Sequence, residues 1–434
     1  MKRTATNIRQ DIEAEVKAGT RLPGEQLSSV RALAAQLNVS PNTVAAAYKQ
    51  LRDRGVVLGR GRQGTVIAPL SRPVLSQLAS VPDGMIDALT GSPDHTLLPD
   101  LAPAFAHAML HHQVGYGDPL VDAGFARAAR AMFDADDIDA TNLTVTSGAM
   151  DAIEKVLAAN DLRPGDRVGV EDPGHVPVHQ LIRAAGLELV PLPIDEHGLR
   201  PEPLAQALAQ NLAALIVTPR AHNPTGAAFT EQRATELTAA LSAHHEVLLI
   251  QDDHAGAISG TTYHGLVPPG DRHVLIRSLG KSLGPDLRLS VSVGDAVTID
   301  RVGLAVSNGP GWVSHALQRA GAYLLTDKAT TKLVADAAAS YVDRRDRLVT
   351  ALGEIGVDAT GRSGINVWFP TIDEQATVEA ARSAGYAIRA ADPYRIESGP
   401  AVRVTISNLA TNQIDELAQA IGAGIRTRGY SPAM

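Results

Sequence analysis

The sequence predicts a multidomain chain, a small winged helix-turn-helix head joined to a large α/β body, and three observations predict it. Two short amphipathic segments separated by a tight polar turn precede a Gly-rich stretch with two arginines, all within residues 1–67. From about residue 87, short β-rich runs alternate with long Ala/Leu stretches of helical periodicity. Those runs are almost continuously apolar, as strands are when helices cover both faces of a parallel or mixed sheet. Charge divides the chain at the same place. Residues 1–70 hold 11 Lys/Arg and 5 Asp/Glu, a balance of +6, so the net charge of −8 leaves −14 on the remainder. A basic head on an acidic body is expected when only the head meets phosphates, although a solvated charged surface has the same composition.

At ~150 residues per domain, 434 residues correspond to about three units, and 44% apolar content is enough for a large core. Cysteine is absent. That excludes disulfides, thiolate zinc sites and a thiol nucleophile, and it fits a reducing cytoplasm. No metal is expected. The N-terminus leads into a polar amphipathic stretch rather than a secretory core. No apolar run of ~18 residues is present to span a bilayer.

In the head, residues 4–18 fit one helix with Ile8, Ile12 and Val16 on a stripe. Leu22-Pro23-Gly24 stops it. Ser28 or Ser29 can cap a second helix carrying Val30, Leu33, Ala34 and Leu37. Asn38-Val39-Ser40 is a tight turn, and Pro41 suits the first position of a third helix running to about Arg54. Val44, Ala47, Tyr48 and Leu51 face inward on that helix. The pair forms a helix-turn-helix whose second member offers Ser40, Asn42 and Thr43 to a major groove. Residues 55–67 read as a β-hairpin with Arg60 and Arg62 at its tip, the form of a wing. A three-helix module that docks a protein is the alternative. Wing and charge favour double-stranded DNA. Residues 68–86 contain Pro and Ser with weak periodicity and read as a linker.

The body runs from 87 to 434. Its expected strands include 167–170, 214–217, 247–250, 273–276 and 289–293. Motifs follow several of them. Ser147-Gly148-Ala149 turns a strand into a helix whose free N–H groups suit a phosphate. Glu171-Asp172-Pro173-Gly174-His175, Ala221-His222-Asn223-Pro224-Thr225-Gly226 and Gln251-Asp252-Asp253-His254 each end a strand. A carboxylate there is costly unless a cation meets it, and a protonated pyridine nitrogen is such a cation. Gly280-Lys281-Ser282 has the tail of a nucleotide-binding loop, but the required earlier glycine falls on Leu275, so that motif is absent. A desolvated lysine at a strand end can instead condense with an aldehyde; taken alone, Lys281 reads more readily as a surface charge, and the other motifs shift the balance.

The run from Leu22 to Arg31 and the run Asn38-Val39-Ser40-Pro41-Asn42-Thr43-Val44 resemble the GntR family of winged helix regulators. The resemblance implies Arg31 on a phosphate, Asn42 and Thr43 at the major groove, and Arg60 and Arg62 at the minor groove. The body motifs, in order and spacing, resemble fold-type I aminotransferases, which bind pyridoxal 5′-phosphate (PLP) between a large and a small subdomain. This implies that Lys281 forms the Schiff base, Asp252 pairs with the pyridine nitrogen and Asn223 bonds the ring 3′-oxygen. It further implies that Ser147, Gly148, Ala149, Ser278 and Arg288 hold the phosphate, that Tyr116 reaches the neighbouring subunit's phosphate, and that Arg403 grips an amino acid carboxylate. Two positions depart from the family pattern. His175 stands where an aromatic residue stacks on the ring, and His254 where a tyrosine bonds the 3′-oxygen. Both can also be ordinary core histidines. An imidazole with the ordinary pKa of about 6.5 changes charge near neutrality, which would couple His254 to the cofactor.

A GntR head on an aminotransferase-like body is the architecture of the MocR regulators. The motifs around Asn223, Asp252 and Lys281 look most like the branch of that subfamily tied to vitamin B6 salvage and control of a pyridoxal kinase gene. The resemblance implies a cytoplasmic, head-to-tail homodimer that binds operator DNA and senses PLP, another B6 vitamer or an amino acid. A working aminotransferase of the 2-aminoadipate type, with an incidental head, is the rival reading. A PLP carrier without DNA binding is another.

Overall fold

A computed structural model of the chain describes residues 3–17, 20–22, 24–53, 56–59, 64–67, 80–110 and 114–426. Arg60 and Arg62, expected at the wing tip, lie outside the described residues, as do residues 68–79 of the expected linker.

The head consists of α1 (Ala5–Lys17), α2 (Val30–Leu37), α3 (Pro41–Asp53) and the antiparallel strands β1 (Val57–Gly59) and β2 (Thr65–Ile67). Ile8, Ile12, Ala34, Val44, Ala47, Tyr48 and Leu51 are buried together with Val57 and Ile67, and Val16, Val30, Leu33 and Leu37 pack at the edge. The expected stripes therefore meet in one core. Ser29, rather than Ser28, caps α2: its Oγ accepts from the Ala32 N–H at 3.2 Å. Ser28 instead offers its carbonyl to the Tyr48 hydroxyl at 2.7 Å. Asn38 ends α2 in the left-handed region, φ 52°, which asparagine tolerates better than most residues. The Ser40 Oγ then accepts from the Thr43 N–H at 3.2 Å and starts α3.

The body opens with β3 (Ile86–Asp87), α4 (Ala102–Ala108) and α5 (Ala123–Asp134). Alternation follows: β4 (Leu143–Thr146), α6 (Ala149–Ala159), β5 (Arg167–Asp172), α7 (Val176–Ala184), β6 (Glu188–Asp195), β7 (Gly198–Leu199), α8 (Pro201–Leu208), β8 (Leu212–Val217), α9 (Glu231–Leu241) and β9 (Leu248–Asp253). Next come β10 (His273–Ser278), α10 (Gly280–Leu283), β11 (Ser290–Gly294), α11 (Ala296–Asn308), α12 (His315–Thr326) and the long α13 (Lys328–Glu354). The chain finishes with β12 (Asn366–Pro370), α14 (Glu374–Ser383), β13 (Tyr386–Ala387), β14 (Arg389–Ala390), β15 (Ala401–Thr405) and α15 (Thr411–Arg426).

Eight strands form one sheet in the order β4-β11-β10-β9-β8-β5-β6-β7. The run β10-β9-β8-β5-β6 is parallel, and β11 lies antiparallel to both its neighbours. All five expected apolar runs are strands of this sheet. Their continuous hydrophobicity has a direct cause. Val168, Ile216, Ile250 and Ile276 face one helix layer, while Leu215, Leu249 and Leu275 face the other side. The ends of β4, β5, β8, β9 and β10 open at one edge of the sheet, where ligands of open α/β folds bind. The smaller sheet, β12-β15-β14, belongs to a second subdomain with α14 and α15, and β3 pairs in parallel with β13.

Candidate cofactor pocket and DNA-reading face

At that edge lies a cavity of about 250 Å³ lined by Ala149, His175, Asn223, Asp252, His254, Ser278, Lys281 and Arg288, eight of the expected site residues. Thr90, Gly91, Thr218, Ile365 and Asn366 also line it. Distant stretches meet there because the crossovers return each strand end to the same edge.

Asp252 and Asp253 end β9 on alternate faces, as the strand period of two requires. Asp253 turns away from the pocket. Its carboxylate accepts from Arg220 Nε and Nη2, each at 2.9 Å, and from Arg277 Nε at 2.7 Å. The two guanidiniums also reach Asp136, at 3.0 and 2.8 Å, and against the effect of burial their bonds and charge hold Asp253 below the usual carboxylate range. Asp252 faces the pocket with no such partner. Its Oδ1 is buried without a hydrogen bond, and burial, with Asp253 beside it, pushes its pKa up to about 7. The nearest basic group, His254 Nδ1, is 3.7 Å away, beyond hydrogen-bond range. Burial and the neighbouring Lys281 hold His254 down to about 4, so that contact is no ion pair. Burial thus works against the charge change expected of His254 near neutrality.

Lys281 sits opposite, in the first turn after β10. Burial and then Arg403 lower its pKa to about 8, and its Nζ donates to the Gly91 carbonyl. Asn223 bridges two functional side chains. Arg403 can only donate, so Asn223 Oδ1 accepts from Arg403 Nη1 at 3.0 Å, and its amide nitrogen lies 3.0 Å from His175 Nδ1. That fixes His175 as the tautomer with an unprotonated Nδ1. Burial, reinforced by His254 and Lys281, keeps its pKa at about 3.

A second acid lies behind the pocket. Glu171 Oε2 accepts from the Thr218 N–H at 2.9 Å and lies 3.4 Å from His222 Nε2, while Oε1 is buried without a partner. Burial drives Glu171 up to about 8 and His222 down to about 3, so both are neutral at pH 7. The sequence offered both residues within motifs but not their contact, which depends on β5 lying beside β8.

At the helix end of the cavity, Gly148 begins α6 with φ 98°. A Cβ there would stand 2.8 Å from Arg288 Nη2, which donates to the Ser147 carbonyl at 3.3 Å. Ser147 and Gly148 thus adjoin Arg288 without lining the cavity. Tyr116 is elsewhere, 97% exposed, with its ring edge-on to Trp312 at 5.7 Å. Among the described residues, no group of His, Asp and Glu could hold a metal, and no helix is long and apolar enough to cross a membrane.

The residues present fit PLP. An unpartnered buried carboxylate awaits a ring-nitrogen cation, a desolvated lysine faces it, and a helix N-terminus with an arginine stands where a phosphate would lie. On the head, Arg31, Ser40 and Asn42 are exposed and Thr43 is half-buried at the start of α3. Lys49 and Arg52, which the sequence reading did not single out, are exposed further along the same helix.

Fold and site together define a DNA reader of the helix-turn-helix type carrying an aminotransferase-fold body. Residues 85–421 match the family of aminotransferases of class I and II, and residues 4–67 match the gntR family of bacterial regulatory proteins. The chain belongs to the MocR-like regulators that combine the two. It is 37% identical over 424 residues to the vitamin B6 salvage pathway transcriptional repressor PtsJ of Salmonella typhimurium, covering 96% of this chain and 98% of that one. Over 309 residues it is 29% identical to the pyridoxine biosynthesis transcriptional regulator PdxR of Corynebacterium glutamicum, 65% of this chain and 64% of that one. Kynurenine aminotransferase of Pyrococcus horikoshii superposes with a TM-score of 0.74 at 19% identity, over 84% of this chain and 96% of that chain. The α-aminoadipate aminotransferase LysN of Thermus thermophilus gives 0.71 at 17%, over 82% and 95%. At such identities these two enzymes establish the fold alone.

Proposed function

We propose that this protein is a transcriptional regulator that binds operator DNA through its head and reads PLP, or a related B6 vitamer, through the body pocket to control vitamin B6 salvage genes. The buried, unpartnered Asp252 in one cavity with the desolvated Lys281 carries the pocket reading. Similarity to the repressor PtsJ over nearly the full length supports the physiological assignment. PLP supplies an aldehyde and an electron-withdrawing ring. The chain's own residues do the rest. Lys281 would take up the aldehyde, Asp252 would hold a proton at the ring nitrogen, and Asn223 and His254 would flank the 3′-oxygen. His175 stacks on the ring. Ser147, Gly148, Ala149, Ser278 and Arg288 hold the phosphate, with Tyr116 supplied by a partner in a head-to-tail homodimer. Arg403 is left for an effector carboxylate. In the head, Arg31 meets a phosphate and Ser40, Asn42 and Thr43 meet base edges, with Arg60 and Arg62 extending to the minor groove.

The test is titration of the full-length protein with PLP, read by visible absorbance and by operator binding. Wild type should gain a yellow absorbance band and borohydride should label Lys281. Lys281→Ala should lose both. Labelling of another lysine would sink the pocket assignment. The intact set Asn223, Asp252, Lys281 and Arg403 also favours an aminotransferase. Amino acid turnover at ~1 s⁻¹ or more, an ordinary enzyme rate, would replace the sensor reading.

A further inference from the structure

One segment of the body is held to the pocket by the two cations that a ligand would claim. Residues 88–94 run beside the pocket, where Thr90 and Gly91 line it. Both ends of the segment are fastened to the small subdomain and α13. Upstream, the Ala88 N–H donates to the Ala387 carbonyl at 3.0 Å, and its carbonyl accepts from the Thr405 N–H at 2.9 Å. Downstream, Ser407 Oγ donates to the Ser92 carbonyl, the Asp94 N–H donates to the Tyr341 hydroxyl at 2.9 Å, and Arg344 pairs with the Asp94 carboxylate at 2.9 Å. A local turn shapes the middle: the Leu89 and Thr90 N–H groups both donate to Asp87 Oδ1 at 2.9 Å. The carbonyls of that turn point to the pocket. The Leu89 carbonyl accepts from Arg403 Nη2 and the Gly91 carbonyl from Lys281 Nζ. Gly91 has φ +73°, a conformation that side chains strain, and a Cβ on it would stand 3.9 Å from the Arg403 guanidinium.

We propose that residues 88–94 are a ligand-released latch, shut by Lys281 and Arg403 in the free chain, and that its release carries pocket occupancy toward the DNA-reading head. The inference rests on the proposed PLP pocket. When Lys281 Nζ condenses with an aldehyde, a C=N bond forms, the C=O bond breaks and water leaves with two hydrogens from the amine. Of the three ammonium hydrogens one then remains, fixed in the plane of the C=N bond, so Gly91 loses its freely rotating donor. A ligand carboxylate on Arg403 frees Leu89 in the same way. Nothing equivalent acts on the ends of the latch, so the middle loosens between fixed points. The upstream fixed point is also the start of the body, joined in sequence to the head. An occupancy signal leaving the pocket along the chain passes through it. A ligand moves such an equilibrium only by its different affinity for the two arrangements, and here the difference is the bond at Gly91 for an aldehyde and the bond at Leu89 for a carboxylate.

Backbone hydrogen exchange in the full-length protein, with and without PLP, tests this directly. Adding PLP should speed exchange over residues 88–94 by roughly 2- to 10-fold for each bond lost. Asp87→Asn weakens the turn, and Ser407→Ala loosens the downstream end; neither residue itself lines the pocket. Both variants should still turn yellow with PLP. In each, the PLP-induced change in operator Kd, expected within about 5- to 150-fold for an allosteric coupling, should shrink toward none. If absorbance reports PLP bound while exchange over 88–94 is unchanged or slower, the latch is wrong and the pocket reading stands. The latch is equally overturned if both variants keep the full PLP effect on the operator. Failure of wild type to bind PLP at all removes the reading beneath it.

Discussion

Two neighbouring carboxylates show how far a one-residue step can divide chemistry. Asp253 is buried among two arginines and stays charged, whereas Asp252, one position earlier on the opposite face, is buried without a cation and sits near pH 7. Glu171 is raised further, to about 8. For both raised acids the folded state binds more protons than the unfolded chain, so their contribution to stability is fully present below about pH 4 and lost as pH rises through 7–8. The depressed histidines 175, 222 and 254 act in the opposite sense, but only below about 6.5, where the unfolded chain takes up protons. Between about pH 6.5 and 7.5 the acids set the slope, before Lys281, lowered to about 8, acts against them. The ligand-free protein should therefore lose thermal stability as pH rises across that window, and Glu171→Gln should flatten the slope. An equally steep slope in the variant would mean that Glu171 is already ionised. Asp252→Asn removes the charge that a ring-nitrogen cation needs. Loss of one member of a buried charge pair costs about 2–5 kcal/mol, and PLP affinity measured by absorbance titration should fall accordingly.

Among the elements, α2 and α3 carry the clearest division of labour. Their inner faces are fixed by the core around Tyr48, while Arg31 and Asn42 project from the first turns. Arg31→Ala should weaken binding to every DNA sequence and reduce the salt slope of log K by about one. Asn42→Ala should relax base preference at one position, worth about 1–3 kcal/mol of discrimination. Competition between operator and random DNA separates the two. An Arg31→Ala protein with unchanged affinity and salt slope would remove that helix from the phosphate backbone. Ser29→Ala deletes the α2 cap and should cost about 1 kcal/mol of head stability, seen as a lower melting temperature for the head transition.

Across the whole molecule, the charge split has a measurable consequence. A head at +6 on a remainder at −14 is drawn to phosphate while the body is repelled. Operator affinity should fall steeply between 50 and 200 mM salt, with phosphate contacts setting the slope. A fragment of residues 1–70 should bind more weakly than the full chain, because the proposed dimer would place two readers on one operator. Equal affinity of fragment and full chain, measured at one salt concentration, would argue against the dimeric arrangement.

Much of this protein was legible before folding was considered. The period of 3.6 in residues 4–54 put Val44, Ala47, Tyr48 and Leu51 on one face, and those residues form the head core. Continuous apolar runs identified the central strands because burial on both faces leaves no room for alternation. Motifs at strand ends named eight side chains of one cavity, since parallel strands with crossovers bring their C-terminal ends to one edge. Three features were decided by the tertiary structure alone. Lys281 meets Gly91 across 190 positions of sequence, Glu171 meets His222 only because β5 lies beside β8, and the loss of charge on His254 follows from burial with Lys281 as neighbour. Hydrophobic periodicity records which face of an element is buried, not which element covers it. Strand order and desolvation, which set these contacts and pKa values, arise only when the whole sheet is assembled.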